Sequence, residues 1–140
     1  MITKSGIVCD APQGAVMQAK KGHILVVDDE ADLRDVVIMS FERRGHVTYQ
    51  AGNSVEALSV MENNKIDVVI SDIRMPGGDG LRLLAEVKRR NPDIPVVFII
   101  TGFTDFTDED LLSRGCKAIF NKPFDINALV TAVEKVIVKS

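Results

Sequence analysis

Four short apolar runs, rich in β-branched residues, constrain this chain most, because each ends on a polar residue at a point where the pattern changes. Ile24-Leu25-Val26-Val27 runs into Asp28-Asp29, and Val68-Val69-Ile70-Ser71 into Asp72. Val96-Val97-Phe98-Ile99-Ile100 runs into Thr101, and Ala118-Ile119-Phe120-Asn121 into Lys122. Runs of this length, each followed by a helical pattern, read as buried strands of a parallel sheet. Parallel strands end at one common edge, and open α/β sheets place their ligands there. Three carboxylates, a hydroxyl and an ammonium are therefore expected in one shallow pocket. Crowded carboxylates repel one another. A divalent cation resolves that conflict, and a lysine opposite it leaves room for an anion.

The rest of the pattern fits strict alternation. The spacing predicts strands over 23–27, 47–51, 67–71, 95–101 and 118–121. The second is polar enough to lie at a sheet edge. Helices are predicted over 30–44, with Leu33, Val36, Val37 and Phe41 on the buried face and Gly45 as the stop, and after Asn53, whose Glu56 three positions on makes a capping-box pattern. Further helices are predicted over 80–90, from Thr107 to Arg114, and after Asp125. The last carries the apolar stripe Ile126, Leu129, Val130, Val133, Val136 and Ile137. Met75-Pro76-Gly77-Gly78-Asp79-Gly80 reads as a turn. Five strands and five helices in alternation imply an α/β, doubly wound five-stranded parallel sheet. Residues 1–21 lack a sustained period and read as a mobile tail, leaving 22–140 as one domain.

Composition excludes several classes. A net charge of −3 with Lys88-Arg89-Arg90 as the only three-residue basic run argues against direct nucleic-acid binding; that run reads as a solvated helix end. Cys9 and Cys116 have no metal-ligand spacing and are not expected to pair. No signal peptide and no membrane span are expected, so the reading is a cytoplasmic protein. His23 and His46 flank strands and are assigned no ligand role.

A hard cation such as Mg2+ accepts one or two carboxylates and shares other positions with water and phosphate oxygens. A carboxylate beside it can attack a phosphoryl group, and an ammonium can neutralise the transferring oxygens. With Ile24-Leu25-Val26-Val27-Asp28-Asp29-Glu30, Ser71-Asp72-Ile73-Arg74-Met75-Pro76-Gly77-Gly78-Asp79-Gly80, Ile100-Thr101-Gly102 and Asn121-Lys122-Pro123-Phe124 in this order, the chain resembles a response-regulator receiver domain of bacterial two-component systems from about His23 to Val138.

The resemblance implies a flavodoxin-like receiver fold with Asp72 as phosphoacceptor. It implies that Asp28, Asp29, Asp72 and the backbone carbonyl of Arg74 hold Mg2+, and that Thr101 and Lys122 contact the phosphoryl group. It also implies a cis Lys122-Pro123 peptide. The expected phosphodonor is a sensor histidine kinase or a histidine phosphotransfer protein. The output partner is unknown, and the sequence leaves open whether the chain acts alone or is part of a longer regulator. A phosphorylation-dependent homodimer through helix four, strand five and helix five is expected, with no activity as an enzyme beyond chemistry at Asp72. Competing readings are a degenerate receiver that binds partners without phosphorylation and an aspartate-nucleophile phosphotransferase. Two departures stand out. Receivers carry Tyr or Phe three residues before the lysine, where this chain has Ile119 followed by Phe120, and the Thr101–Lys122 segment is about one residue short. Either the switch lacks a ring or a bulge re-aims Phe120.

Overall fold

A side chain on a strand faces the opposite way from its neighbours, so a strand buried on both sides must be apolar at every position. In the computed structural model, which describes residues 21–74, 80–91, 95–102 and 106–139, the central strands meet that demand. The elements are β1 (His23–Val27), α1 (Ala31–Glu42), β2 (Val47–Ala51), α2 (Ser54–Asn63), β3 (Val68–Asp72), α3 (Gly80–Arg90), β4 (Val96–Thr101), α4 (Asp108–Ser113), β5 (Ala118–Asn121) and α5 (Ile126–Lys139). All strand pairs are parallel, in the order β2-β1-β3-β4-β5. The polar second strand is an edge, as its sequence predicts.

Alternation along the strands divides the core in two. Leu25, Val27, Val69, Val97 and Ile99 face Ala57 of α2, Leu83, Leu84 and Val87 of α3, and Leu111 of α4. Ile24, Val26, Val68, Ile70, Phe98 and Ile100 face Val37 and Phe41 of α1 and Leu129, Val133 and Ile137 of α5. Each fully buried Val, Leu or Ile contributes about 1.5–3 kcal/mol. This division is what a doubly wound sheet requires, and the strand order 2-1-3-4-5 makes the fold flavodoxin-like. The strand order reverses between β1 and β3, which is where such sheets open a crevice.

Local signals set the helix ends. Asn53 Oδ1 accepts from the Glu56 N–H at 2.9 Å, while Glu56 Oε1 accepts from the Gly52 N–H at 2.7 Å, so the box closes one residue earlier than the usual reciprocal pair. Thr107 caps α4, and Asp125 Oδ1 accepts from the Asn127 N–H at the start of α5. Gly45 and Gly115 follow α1 and α4 with φ of 88° and 107°, a region only glycine enters without strain.

Three expectations need correction. Val36 is 52% exposed; the core-facing stripe of α1 runs from partly buried Leu33 to buried Val37 and Phe41 at intervals of four, and Val36 sits one step, about 100°, away from Val37. The α1 helix is shorter at each end than predicted, closing at Glu42. The third strand is shifted by one residue and includes Asp72, which pairs with Ile100. The expected 1–21 tail lies outside the described residues except for Lys21, as does the turn over Met75–Asp79. No helix among the described residues is long and apolar enough to cross a membrane.

Candidate functional site

The C-terminal ends of β1, β3, β4 and β5 bring Asp28, Asp72, Thr101 and Lys122 to the crevice. Asp28 leaves β1 with its N–H bonded to the Ala51 carbonyl at 3.1 Å. Its Oδ1 accepts from the Glu30 N–H at 2.9 Å and its Oδ2 from Lys122 Nζ at 3.4 Å. Asp72, still within β3, accepts through Oδ2 from Lys122 Nζ at 2.9 Å and through Oδ1 from the Arg74 N–H at 3.2 Å. Ser71 Oγ donates to the Asp72 carbonyl at 2.9 Å, fixing the backbone beneath the carboxylate.

Asp28 and Asp72 are buried and Asp29 is exposed. Each of the three has a carboxylate oxygen within 4.8 Å of one on each of the others. Thr101 is buried, and its Oγ1 has no hydrogen-bond partner among the described residues. Such an orphan costs free energy unless a ligand or water completes it. Lys122 is tied to the same strand end, its N–H donating to the Thr101 carbonyl at 2.8 Å, and the Lys122-Pro123 peptide is cis.

The charges do not balance. Burial pushes the Asp28 carboxyl above its ordinary value; the Glu30 N–H and Lys122 pull it down, and Asp72 adds to the rise. Burial also opposes the charge on Lys122, but hydrogen bonds to Asp72 and Glu30 and attraction to Asp28 outweigh it and hold the ammonium above the usual lysine value. Two buried carboxylates and one at the rim face a single ammonium. A hard divalent cation fits that deficit, and the donor set is all oxygen, as Mg2+ prefers.

The sequence motifs assign no role to two further participants. Arg34 Nη1 donates to the Asp28 carbonyl at 2.6 Å and its Nε to Gln50 Oε1 at 2.9 Å, clamping the β1–α1 loop to β2. Glu30 Oε1 accepts from Lys122 Nζ at 3.1 Å. The signal for Glu30 was its place directly after the Asp pair; nothing in the local sequence points to Arg34.

Ile99 pairs with Ile119 and Ile100 with Phe120 in unbroken register, so no bulge enters β5. Ile119 packs with the α2, α3 and α4 side of the core. Phe120 lies on the other side, its ring 6.4 Å from that of Phe98. The position three before the lysine therefore holds an aliphatic side chain.

The site is thus an acidic, lysine-bridged pocket at the C-terminal edge of an open parallel α/β sheet. The family model for the response regulator receiver domain matches residues 24–134, and the chain belongs to that family. It is 36% identical over 119 residues to the DNA-binding transcriptional regulator NtrC of Escherichia coli (strain K12), covering 84% of this chain and 25% of NtrC. The chain thus spans about a quarter of that relative's length. It is 34% identical over 113 residues to sporulation initiation phosphotransferase F of Bacillus subtilis (strain 168), covering 80% of this chain and 90% of the relative. The crystal structure of the receiver domain of NtrX from Brucella abortus superposes with a TM-score of 0.76 at 34% identity, covering 84% of this chain and 99% of the other.

Proposed function

We propose that this receiver domain accepts a phosphoryl group on Asp72 from a phosphohistidine of a sensor histidine kinase or phosphotransfer protein and signals through the resulting change of conformation. The observation that carries this reading is the Asp72–Lys122 pair at 2.9 Å beside the orphaned Thr101 hydroxyl. An Asp72 carboxylate oxygen attacks phosphorus, the new O–P bond forms as the P–N bond breaks, and the imidazole leaves with that electron pair. Lys122 neutralises one phosphoryl oxygen and Thr101 donates its hydroxyl proton in a hydrogen bond to another, so both act where charge shifts during transfer. Asp28, Asp29, Asp72 and the Arg74 carbonyl would hold Mg2+, which when bound offsets the carboxylate repulsion and the phosphoryl charge. Arg34 and the Glu30 N–H keep the Asp28 loop in place.

In this reading residues 22–140 form the receiver unit in the cytoplasm, 1–21 lie outside it, and turnover is confined to Asp72 itself. Output passes to a partner protein or domain, or to a second copy. The groove beside β5 suits the last option: it encloses about 650 Å³ and is lined by Val96, Phe98, Ala128, Thr131, Ala132 and Val136.

The test is intact-mass analysis after incubation with acetyl phosphate and magnesium. One added phosphoryl group is expected in the wild type and none in Asp72→Asn or without the metal. Undiminished labelling of Asp72→Asn would move the acceptor elsewhere, and a wild type that never labels would favour a degenerate receiver.

A further inference from the structure

An ammonium has three N–H donors. Those of Lys122 face three carboxylates, Asp72 at 2.9 Å, Glu30 at 3.1 Å and Asp28 at 3.4 Å. The donor set is full. A phosphoryl oxygen arriving on Asp72 can take the lysine only by displacing one of these partners. Asp28 cannot readily leave, because its side chain is 4% exposed and its other oxygen is tied to the Glu30 N–H. Asp72 is the point of attachment. Glu30, with its side chain 63% exposed, is the partner free to go.

The Glu30 backbone supports the same conclusion. Glu30 occupies the N-cap of α1 with φ −88° and ψ 106°, yet its side chain makes no capping hydrogen bond. It is not holding the helix, whose first turn forms through the Glu30 carbonyl and the Arg34 N–H at 3.0 Å. The Glu30 N–H is fixed to Asp28, so releasing the carboxylate moves the side chain alone.

We propose that Glu30 is a positioning residue, a displaceable latch that holds Lys122 in the resting domain and competes with the phosphoryl group for it. The inference rests on Asp72 being the phosphoacceptor. Removing the latch then favours the phosphorylated geometry by what an exposed ion pair is worth, about three- to five-fold at low salt. Because Glu30 is exposed, salt should screen the effect.

The probe is beryllofluoride, which stands in for the phosphoryl group, titrated by calorimetry at saturating magnesium. Glu30→Gln should bind it three- to five-fold more tightly than wild type at low ionic strength, and the gap should close at high salt. Glu30→Asp, whose shorter stem draws the carboxylate back from Nζ while keeping the charge, should fall between the two. Glu42→Gln removes the same charge from the far end of α1 and should match wild type. Equal or weaker binding by Glu30→Gln, or an equal gain in Glu42→Gln, overturns the latch. A wild type that binds no better than Asp72→Asn would instead overturn the assignment of Asp72.

Discussion

Gly80 lies directly against the Asp72 backbone. A Cβ built on it would overlap the Asp72 carbonyl oxygen and stand 2.7 Å from Ile73 Cα, while the Gly80 N–H donates to the Ile73 carbonyl at 2.6 Å. The first turn of α3 is thus seated on the strand that presents the acidic side chain. Gly80→Ala cannot be relieved by a side-chain rotation, because the obstacle is backbone. It should cost about 3 kcal/mol or more and reduce labelling of Asp72 even under conditions where the variant remains folded. Thermal melting with intact-mass analysis checks both halves. An alanine variant that melts and labels like wild type would show that the seat is loose.

The acidic cluster should trade stability for metal binding. Because burial raises the Asp28 carboxyl above its ordinary 3.8, keeping it ionised at neutral pH costs the metal-free domain stability, a cost that grows as pH rises through the shifted value. Asp28→Asn keeps the shape and removes the charge. It should raise the metal-free melting temperature at pH 7 by about 3 °C and abolish the magnesium response. Asp29→Ala, at an exposed position, should lose the magnesium response with melting unchanged. Either variant binding magnesium as well as wild type would remove that residue from the site.

A second network, built around buried His46, predicts the opposite dependence on acid. His46 accepts through Nδ1 from the Gly22 N–H at 3.0 Å, so its ring proton sits on Nε2, 2.8 Å from Glu134 Oε2. Arg44 Nε donates to the same oxygen at 2.7 Å. Burial alone would raise the Glu134 carboxyl, but the bonds from Arg44 and His46 outweigh it and hold it below 4.5. A depressed carboxyl contributes stability that is complete above 4.5 and lost as pH falls through the lowered value. Glu134→Gln should cost about 1–2 kcal/mol at pH 7 and flatten the loss of stability below pH 4.5. Urea unfolding from pH 7 to pH 3 measures both. A pH profile identical to wild type would mean the network carries no net energy.

The acyl phosphate should be long-lived. Arg74 lies two residues after Asp72 and is exposed at the rim of the site; Phe103, two residues after Thr101, lies outside the described residues. Neither side chain is suited to orient an in-line water, and positioning supplies much of the rate in phosphoryl transfer. Arg74→Asn combined with Phe103→Ala should speed phosphate loss several-fold. Wild-type loss within seconds, or no acceleration in the double variant, would count against this.

Assembly is open to the same probe. Sedimentation with and without beryllofluoride and magnesium should show dimer formation through the β5–α5 groove only in the presence of both. Lys135→Glu at its rim should weaken that dimer without altering beryllofluoride binding. A monomer under both conditions would assign the groove to a different partner.

Most of the frame was legible because period-two strands and 3.6-residue stripes are local signals. The strand ends, the polar edge of β2 and the stripe of α5 follow from residues within a few positions of each other. What escaped is long-range. Arg34 on Gln50, Glu30 on Lys122, and His46 with Glu134 join side chains whose meeting depends on how elements pack, which no local pattern encodes. Val36 escaped for another reason: a β-branched residue next to Val37 looks buried until the crossing of α1 over the sheet selects one stripe.

Lys122 reaches Asp28 from 94 positions along the chain, with β3 and β4 between their strands. Closing that contact requires the outermost strand to dock on one already supported by its neighbour. Loops this long are slow to close, and their reward arrives only once the intervening strands are in place. Competence for phosphorylation should therefore emerge as one of the last events of refolding. A truncated or stalled chain that has built β1 and β3 but not β5 would carry the acidic pair without its ammonium.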